Sequence, residues 1–213
     1  MKTVLLTSMP SAAIQLVYYV QTRAFKFNDV VLVGCPSPNS FIFEEYSSIN
    51  GFGLYHVSEV NAPDCLELMK RLQPDVIKIV TATIIRKPLL DIPRIGVLNT
   101  HAAMLPRYRG IDTPQWAVLE GGEIGVVEHF VDENIDTGDI IATRHLEIRR
   151  GDSISRLLSR NHYENKWQTA ADALIGLRDQ TITRRPQRPE DGCQFYEMHT
   201  KILAMVDEKL AKL

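Results

Sequence analysis

Short apolar segments rich in β-branched residues alternate with segments of helical periodicity through the first half of this chain. The apolar segments are residues 3–6, 30–34, 54–57 and 76–80. They are apolar on both faces, which is typical of buried strands in a parallel sheet. Between the last two, apolar residues from Cys65 to Leu72 repeat at the spacing of one helix face. This alternation predicts an α/β fold, with a mostly parallel sheet and helices on both faces.

Composition limits the class of protein further. Of 213 residues, 45% are hydrophobic and 23% are charged, which is the balance of a soluble globular protein. Lys plus Arg number 24 against 26 Asp plus Glu, so no global positive field would attract nucleic acid or an anionic membrane. No segment approaches the roughly 18 apolar residues of a membrane span. We therefore expect no nucleic-acid partner and no membrane partner.

The cysteines and the N-terminus favour a cytoplasmic location. Cys35, Cys65 and Cys193 are far apart and odd in number, and they have no Cys/His ligand spacing. This argues against a disulfide framework and a structural zinc site. Residues 1–13 resemble a signal peptide, but the apolar stretch at residues 4–6 is too short for one. A first buried strand is the better interpretation.

Two regions predict the organisation of the rest of the chain. Residues 36–52 contain Pro, Ser, Asn and Gly and predict a loop over the open edge of the sheet, either a connector or a flap that contacts substrate. From Arg184, a polar linker with prolines leads to an amphipathic helix, which could pack on the body or on a second subunit. We expect a catalytic domain over residues 1–178 and a linker with a helical extension over residues 179–213. The apolar stripe of that helix suggests a homodimer.

Residues 95–141 place polar side chains between apolar segments. Asn99 and His101 follow a predicted buried strand and are two residues apart, so an extended chain directs both to one side. An Asn N–H can donate to oxygen charge that develops on a carbonyl, and a neutral imidazole can accept a proton. Asp136, between predicted strands at 124–131 and 140–148, can fix the imidazole tautomer. No Ser or Cys lies beside the His, which favours direct attack by an amine or water.

Each of these residues also has a structural interpretation that the sequence leaves open. Asn99 could cap the following turn, and His101 could bond a backbone carbonyl. Asp136 stands in a sequence that is typical of turns. His129 alternates within a predicted strand and is interpreted as a packing or solvated residue.

Four ordered motifs favour the catalytic interpretation. They are Asn99-x-His101, Leu105-Pro106-x-Tyr108-Arg109-Gly110, Gln115-Trp116-Ala117 and the acidic segment 132–141. With these motifs, residues 1–178 resemble the catalytic domain of the 10-formyltetrahydrofolate-dependent formyltransferases. The resemblance implies a Rossmann-like formyltransferase fold, 10-formyltetrahydrofolate as cosubstrate and no metal. It also implies that Asn99, His101 and Asp136 are the catalytic trio.

The resemblance further implies positions for both substrates. The pterin would lie against residues 82–85, and groups near 131–134 would bind its edge. The residues concerned are Ala82, Thr83, Ile84, Ile85, Val131, Glu133 and Asn134. Ile84 and Ile85 could equally be ordinary core residues. Tyr108, Arg109 and Gly110 are predicted to contact the acceptor, and the Leu105–Pro106 bond is a candidate cis peptide.

Departures from the family pattern reduce the number of candidate acceptor substrates. Most relatives have Pro-Ser after the His, where this chain has Ala102-Ala103. Residues 7–10 lack the phosphate loop of glycinamide-ribonucleotide formyltransferases, and residues 179–213 are too few for the C-terminal barrel of methionyl-tRNA formyltransferases. The chain is therefore most similar to N-formyltransferases of nucleotide-linked amino sugars. In the implied mechanism, Asn99 and protonated His101 stabilise the oxyanion as the amine attacks.

Three alternatives to the amino-sugar acceptor stay open. The first is a methionyl-tRNA formyltransferase-like activity. The second is hydrolysis of formyltetrahydrofolate by water. The third is a non-catalytic folate- or nucleotide-binding protein, which the Ala102-Ala103 departure suggests.

Overall fold

The computed structural model describes residues 1–34 and 40–212. The chain forms two compact units, one of residues 1–99 and 130–133 and the other of residues 100–129 and 134–213. The main sheet has seven strands, five of them in the first unit. The pairs within those five are all parallel. The predicted α/β fold with a mostly parallel sheet is therefore confirmed.

The first unit alternates strands and helices along the chain. Its elements are β1 (Thr3–Thr7), α1 (Pro10–Gln21), β2 (Asp29–Val33), α2 (Ser40–Asn50), β3 (Gly53–Val57), α3 (Pro63–Leu72), β4 (Val76–Val80), α4 (Lys87–Leu90) and the first part of β5 (Gly96–His101). The strand order is β3-β2-β1-β4-β5. Parallel strands share one carboxyl edge, which is where open α/β sheets bind ligands.

The core of the first unit comes from the apolar segments of the sequence. Leu6, Val31 and Ile77 of three strands are buried with Cys65 and Met69 of α3. Helix α3 is amphipathic, and its predicted apolar face is the buried one. The helical spacing in this part of the sequence therefore predicted the buried side correctly.

Residues 40–50 form helix α2, so the loop predicted over residues 36–52 is wrong there. The helix is anchored by Phe43, which is fully buried. Its polar residues resemble those of a turn, but Ser48 and Asn50 donate to carbonyl groups of the preceding helical turn. Residues 36–39 of that prediction lie outside the described residues.

The second unit contains two strand pairs and a helical layer. Its elements are β6 (Tyr108–Gly110), α5 (Thr113–Glu120), β7 (Ile124–Phe130), β8 (Ile140–Leu146), α6 (Ile154–Arg160), a π-helical segment (Asn161–Lys166), α7 (Trp167–Arg178), a 3-10 turn (Pro189–Asp191), β9 (Cys193–Phe195) and α8 (Thr200–Leu210). Strands β7 and β8 correspond to the two strands predicted around Asp136 and are antiparallel, and β6 pairs in parallel with β9.

The terminal helix α8 belongs to the core of this unit. Val206 and Leu210 are buried in one cluster with Ala117 of α5 and Leu157 of α6. The helix thus packs on the body, which was one of the two predicted alternatives. Met205 of its apolar stripe is 53% exposed, and the homodimer stays a prediction. The domain boundary after residue 178 stays a prediction.

The described part of the chain carries neither a metal-binding cluster nor a membrane-spanning helix. No cluster of three or more His, Cys, Asp or Glu side chains in residues 1–34 and 40–212 is placed to hold a metal ion. None of the described helices combines the length and apolar character that a membrane span requires.

Candidate active site

The end of strand β5 carries the polar residues that the sequence singled out. Asn99 is half-buried, and Thr100 and His101 are buried. Thr100 donates its hydroxyl to Oε2 of Glu128, which is itself fully buried, at 2.6 Å. The polar side chains at the end of β5 are therefore largely buried and not solvated.

His101 is held by oxygen atoms at both ring nitrogens. Its Nδ1 lies 3.3 Å from Oδ2 of Asp136. Its Nε2 lies 2.7 Å from the backbone carbonyl oxygen of Tyr108, and the Thr113 hydroxyl is 3.3 Å away. A carboxylate and a carbonyl are both acceptors, so only one of these contacts is a full hydrogen bond while the imidazole is neutral. A substrate that uses Nε2 must replace the carbonyl of Tyr108.

Asp136 lies in the loop between β7 and β8 and adopts a left-handed backbone conformation with φ of 55°. Its Oδ2 accepts the Gly110 N–H at 2.9 Å, and its Oδ1 lies 3.4 Å from Nε2 of His129. Burial alone would raise the pKa of this carboxyl, but His129, His101 and the Gly110 N–H outweigh it and lower the pKa to about 2. Asp136 is therefore a carboxylate at neutral pH.

The imidazole of His101 is neutral in this environment. Burial lowers its pKa below the ordinary value of 6.5, and the attraction of Asp136 offsets the effect of burial only in part. The mechanism that the resemblance implies has a protonated His101, whereas the lowered pKa favours the neutral form as the starting state. A neutral imidazole beside a carboxylate is suited to accept a proton first and to become cationic during the reaction.

His129 is a residue of the site that the sequence interpretation missed. It was interpreted as a packing or solvated residue, yet it is 1% exposed and contacts Asp136. The centres of the His129 and His101 rings are 6.3 Å apart, with Asp136 in contact with both. Alternation in strand β7 gave no signal for this role, because every residue of the strand is buried.

Gln187 connects residues 187–189 to the Asp136 loop, and Arg109 holds Gln187 in place. Gln187 donates its amide to the carbonyl oxygens of Asp136 and Gly138 at 3.1 and 2.7 Å. The Arg109 guanidinium donates to Oε1 of Gln187 and to the carbonyl oxygens of Arg188 and Pro189. A segment interpreted as a linker thus supports the loop that carries the carboxylate.

We expect Gln187→Ala to lower both activity and stability, because it leaves two loop carbonyls and part of the Arg109 guanidinium without their partner. The expected cost is about 1–2 kcal/mol in the free energy of unfolding and about tenfold in kcat. Thermal melting and steady-state kinetics measure the two effects. Gln194→Ala, an exposed residue of β9, is the matched control. Equal behaviour of the two variants would contradict this role for Gln187.

The three residues predicted to contact the acceptor make contacts within the second unit. Tyr108 is fully buried, and Arg109 is engaged by residues 187–189. Gly110 has φ of +100°, and a Cβ there would lie 2.1 Å from the Phe195 carbonyl oxygen, so only glycine fits. Their contact with an acceptor stays a prediction. The Leu105–Pro106 bond is cis, as predicted.

The residues predicted to bind folate differ in exposure. Ala82, Thr83 and Ile84 are exposed after the carboxyl end of β4, and 67% of Ile84 is accessible. Ile85 is buried in the core of the first unit, so its side chain is not available to a ligand. This corrects the prediction for the Ile85 side chain. Folate binding by the exposed residues stays a prediction.

The second predicted folate stretch follows strand β7. Val131 packs against the core of the first unit and donates its N–H to the Val97 carbonyl at 2.8 Å. Glu133 is exposed and pairs with Lys87 at 3.1 Å. Asn134 is exposed and belongs to the second unit. Contact of these residues with folate also stays a prediction.

A π-helical turn places two further residues that the sequence interpretation missed. Asn161 donates its side-chain amide to the carbonyl oxygens of Ala102 and Gly125 at 3.0 and 2.9 Å. Asn165 donates to Oδ1 of Asn161 at 3.3 Å. The backbone that follows His101 is thereby tied to strand β7. The spacing of the two Asn residues within a predicted apolar helix face was the available signal.

The structure thus combines a mostly parallel α/β sheet with a buried His–Asp pair. A family model described as formyl transferase matches residues 8–173. Methionyl-tRNA formyltransferase of Ruminiclostridium cellulolyticum is 30% identical over 169 residues, which are 77% of this chain and 53% of that protein. The chain spans about half the length of the curated relatives it matches. It belongs to the formyl transferase family, whose members are enzymes that transfer formyl groups.

Solved structures share the fold along most of the chain. A sugar N-formyltransferase from Shewanella sp FDAARGOS_354 has a TM-score of 0.72 at 13% identity, over 99% of this chain and 88% of that one. The formyltransferase PseJ from Anoxybacillus kamchatkensis, solved with UDP-4,6-dideoxy-4-formamido-L-AltNAc and tetrahydrofolate, has a TM-score of 0.60 at 18% identity, over 91% and 85%. Phosphoribosylglycinamide formyltransferases share the fold too. The predicted formyltransferase fold is confirmed.

Proposed function

We propose that this chain transfers a formyl group from 10-formyltetrahydrofolate to the primary amine of a nucleotide-linked amino sugar. The main support is the buried pair of His101 Nδ1 and Asp136 Oδ2, 3.3 Å apart, in a member of the formyl transferase family. An amine that attacks a formyl carbon must lose a proton. A neutral imidazole supported by a carboxylate is suited to accept that proton.

The cosubstrate supplies an activated formyl group, and the side chains of this chain move the proton and stabilise charge. A bond forms between the acceptor amine and the formyl carbon, and the bond from that carbon to the folate nitrogen breaks. His101 accepts the proton of the amine and returns it to the leaving nitrogen. Asp136 stabilises the imidazolium between these two events. Asn99 donates its amide N–H to the charge that develops on the formyl oxygen.

The exposed residues after β4 fit a planar cosubstrate. Ile84 presents an uncovered apolar side chain, and Ala82 and Thr83 beside it are exposed. They follow the carboxyl end of a parallel strand, which is the usual edge for ligands in α/β folds. These properties support a role for residues 82–84 in binding a pterin ring.

The acceptor is inferred from the relatives and from charge. Two of the structural neighbours act on or contain sugars, and the sugar N-formyltransferase from Shewanella matches 99% of this chain. Relatives at 30% identity are methionyl-tRNA formyltransferases, so formylation of charged tRNA is the second candidate. The formal net charge of -2 favours a small acceptor over a polyanion.

An acceptor screen tests the proposal. The full chain is incubated with 10-formyltetrahydrofolate and either a panel of nucleotide-linked amino sugars, charged initiator tRNA or no acceptor. We expect a formylated sugar, detected by mass spectrometry, from at least one member of the panel. Formylated tRNA alone would replace the sugar by the second candidate. Formate release without acceptor would indicate hydrolysis, and folate binding without turnover would indicate a binding protein.

A further inference from the structure

A pocket of about 800 Å³ lies entirely within the second unit. Its walls come from residues 104–108, 121–123 and 140–143, together with His145, Thr183 and Arg185. The volume is in the range of sites for small organic molecules. Neither His101 nor Asp136 lines it, so the pocket is not the acid–base site itself. We call it the Tyr108 pocket.

The phenol of Tyr108 is a buried donor at the wall of this pocket. Tyr108 is 0% exposed, and its Oη has no hydrogen-bond partner among the described residues. Buried side-chain polar atoms normally have a partner. The Oη lies against Gly122, another wall residue, because a Cβ at Gly122 would be 2.0 Å from it. Burial and the nearby Glu120 carboxylate raise the pKa of the phenol, while Arg107, the ion-pair partner of Glu120, acts in the opposite direction, so the Oη keeps its proton at neutral pH.

The lining carries charges of both signs. Its guanidinium groups are Arg107, which pairs with Glu120 at 3.3 Å, and Arg185, and its one carboxylate, Glu123, lies 3.7 Å from Nδ1 of His145. Arg107 lies over the ring of Tyr108, 5.2 Å from its centre. No carboxylate of residues 1–34 and 40–212 forms an ion pair with Arg185 in the structure. Guanidinium groups match the oxygens of phosphates with paired N–H donors.

Two other features of the pocket restrict its occupant. One part of the lining is apolar, unlike the hydrogen-bond donors described above. It consists of Met104, Leu105, Ile140 and Ile141. The backbone of Arg185 is fixed by two hydrogen bonds of 2.9 Å to Ile140, which holds that residue at the pocket. The lining therefore suits a molecule with an apolar or planar part and an anionic part.

We infer that the Tyr108 pocket binds a phosphorylated organic molecule of nucleotide size. Its phosphoryl oxygens accept from the Arg185 guanidinium and the Tyr108 Oη, and its planar part packs on the apolar wall. Two sources share this chemistry, the nucleotide of the acceptor and a separate nucleotide. Binding of the acceptor's nucleotide rests on the proposed function, whereas binding of a separate nucleotide does not.

The pocket is connected to the acid–base pair through two short links. The carbonyl oxygen of Tyr108 is 2.7 Å from Nε2 of His101, while the side chain of the same residue lines the pocket. Ile140 follows Asp136 by four residues and also lines the pocket. A ligand that moves Tyr108 would therefore change the partner of the His101 ring.

Calorimetric titration of the full chain with UDP, uridine and inorganic pyrophosphate tests the inference. We expect UDP to bind, pyrophosphate to bind more weakly and uridine to bind weakest. Arg185→Gln is expected to weaken UDP binding about tenfold, because a charge-assisted contact to phosphate is lost. Arg71→Gln, an exposed guanidinium of the first unit, is the control and is expected to leave UDP binding unchanged.

Two variants address the phenol. Tyr108→Phe keeps the ring and removes only an unpaired hydroxyl, so a purely structural role predicts unchanged or higher melting temperature and unchanged UDP binding. Our inference predicts unchanged or higher melting temperature with several-fold weaker UDP binding. Gly122→Ala, whose methyl group would displace the Oη, is expected to weaken UDP binding as well.

Three results would overturn the inference: no UDP binding, equal binding of UDP and uridine, or equal UDP binding by the wild type, Arg185→Gln and Tyr108→Phe. Competition of UDP with the acceptor would identify the bound nucleotide as part of the acceptor. Inhibition or activation without competition would identify a separate nucleotide. Weakened UDP binding in both variants, in a protein that formylates no acceptor, would support the pocket and reject the proposed function.

Discussion

His101→Ala is expected to lower kcat by about a thousandfold, within the range that general acid–base catalysis contributes. In the proposed mechanism, the ring takes the proton from the amine, and Asp136 has no other route to the substrate nitrogen. The structure also places His101 in contact with Tyr108 and Thr113, so melting temperature is measured beside turnover. His101→Gln, which keeps a polar side chain of similar length, is expected to lose activity with a smaller change in melting temperature.

A matched control shows whether the loss of activity is specific to His101 or follows from replacing any histidine. His56 is an exposed residue of β3, and His56→Ala is expected to retain wild-type kcat. Undiminished turnover of His101→Ala would contradict the proposed mechanism. It would favour the interpretation of the chain as a weakened or non-catalytic binding protein.

The pH profile of the wild type tests the starting state of His101. In the proposed mechanism the reaction begins from neutral imidazole, and burial lowers the pKa of that imidazole, so kcat/KM is expected to fall only as the pH drops through this lowered pKa. A reaction that begins from imidazolium would instead lose activity as the pH rises. Measurement of kcat/KM between about pH 5 and pH 8 distinguishes the two. The acid limb is expected to be absent from the residual activity of His101→Gln.

Asp136→Asn is expected to lower kcat by about a hundredfold to ten-thousandfold and also to destabilise the fold. The carboxylate accepts from Gly110 and contacts both His101 and His129. An amide offers one acceptor oxygen and turns an N–H₂ group toward one of these donors, so about 1–3 kcal/mol of unfolding free energy is lost. These contacts therefore predict a loss of both chemistry and stability.

The stability of the wild type at low pH reports on the same carboxyl. The pKa of this carboxyl is about 2 in the folded protein and 3.8 ordinarily. The stability that the ionised carboxyl gives to the fold is therefore complete above pH 3.8 and is lost as the pH falls through 2. The difference corresponds to roughly 2 kcal/mol. Chemical denaturation at a series of pH values measures it. Asp136→Asn is expected to lack this part of the decline, and Asp139→Asn, in the same loop, is expected to retain it.

The strands were predictable because each is a local property of the sequence. Segments such as 3–6 and 76–80 are apolar on both faces, and a parallel sheet is the structure that buries both. Helix α2 was not predictable in the same way. A single buried side chain, Phe43, anchors it, and the serines and asparagine that suggested a loop are satisfied by helix carbonyls.

The His–Asp pair was predictable from motif order, whereas the surroundings of the pair were not. Asp136 and His101 lie in recognisable short motifs, and their contact follows the resemblance. The roles of Gln187 and His129 depend on where distant segments meet, which periodicity does not encode. The neutral state of His101 depends on burial, which no local pattern reports.

The contacts of Gln187 imply an order of folding events while the chain is being synthesised. Synthesis proceeds from residue 1, so the strands of the first unit can pair while the rest of the chain is still being made. Asp136 emerges with its loop unsupported, because its amide partner follows 51 residues later. Helix α8, which completes the core of the second unit, emerges later still. The groups of the proposed acid–base site therefore acquire their final arrangement only after Gln187 has been synthesised, when the strands of the first unit already exist.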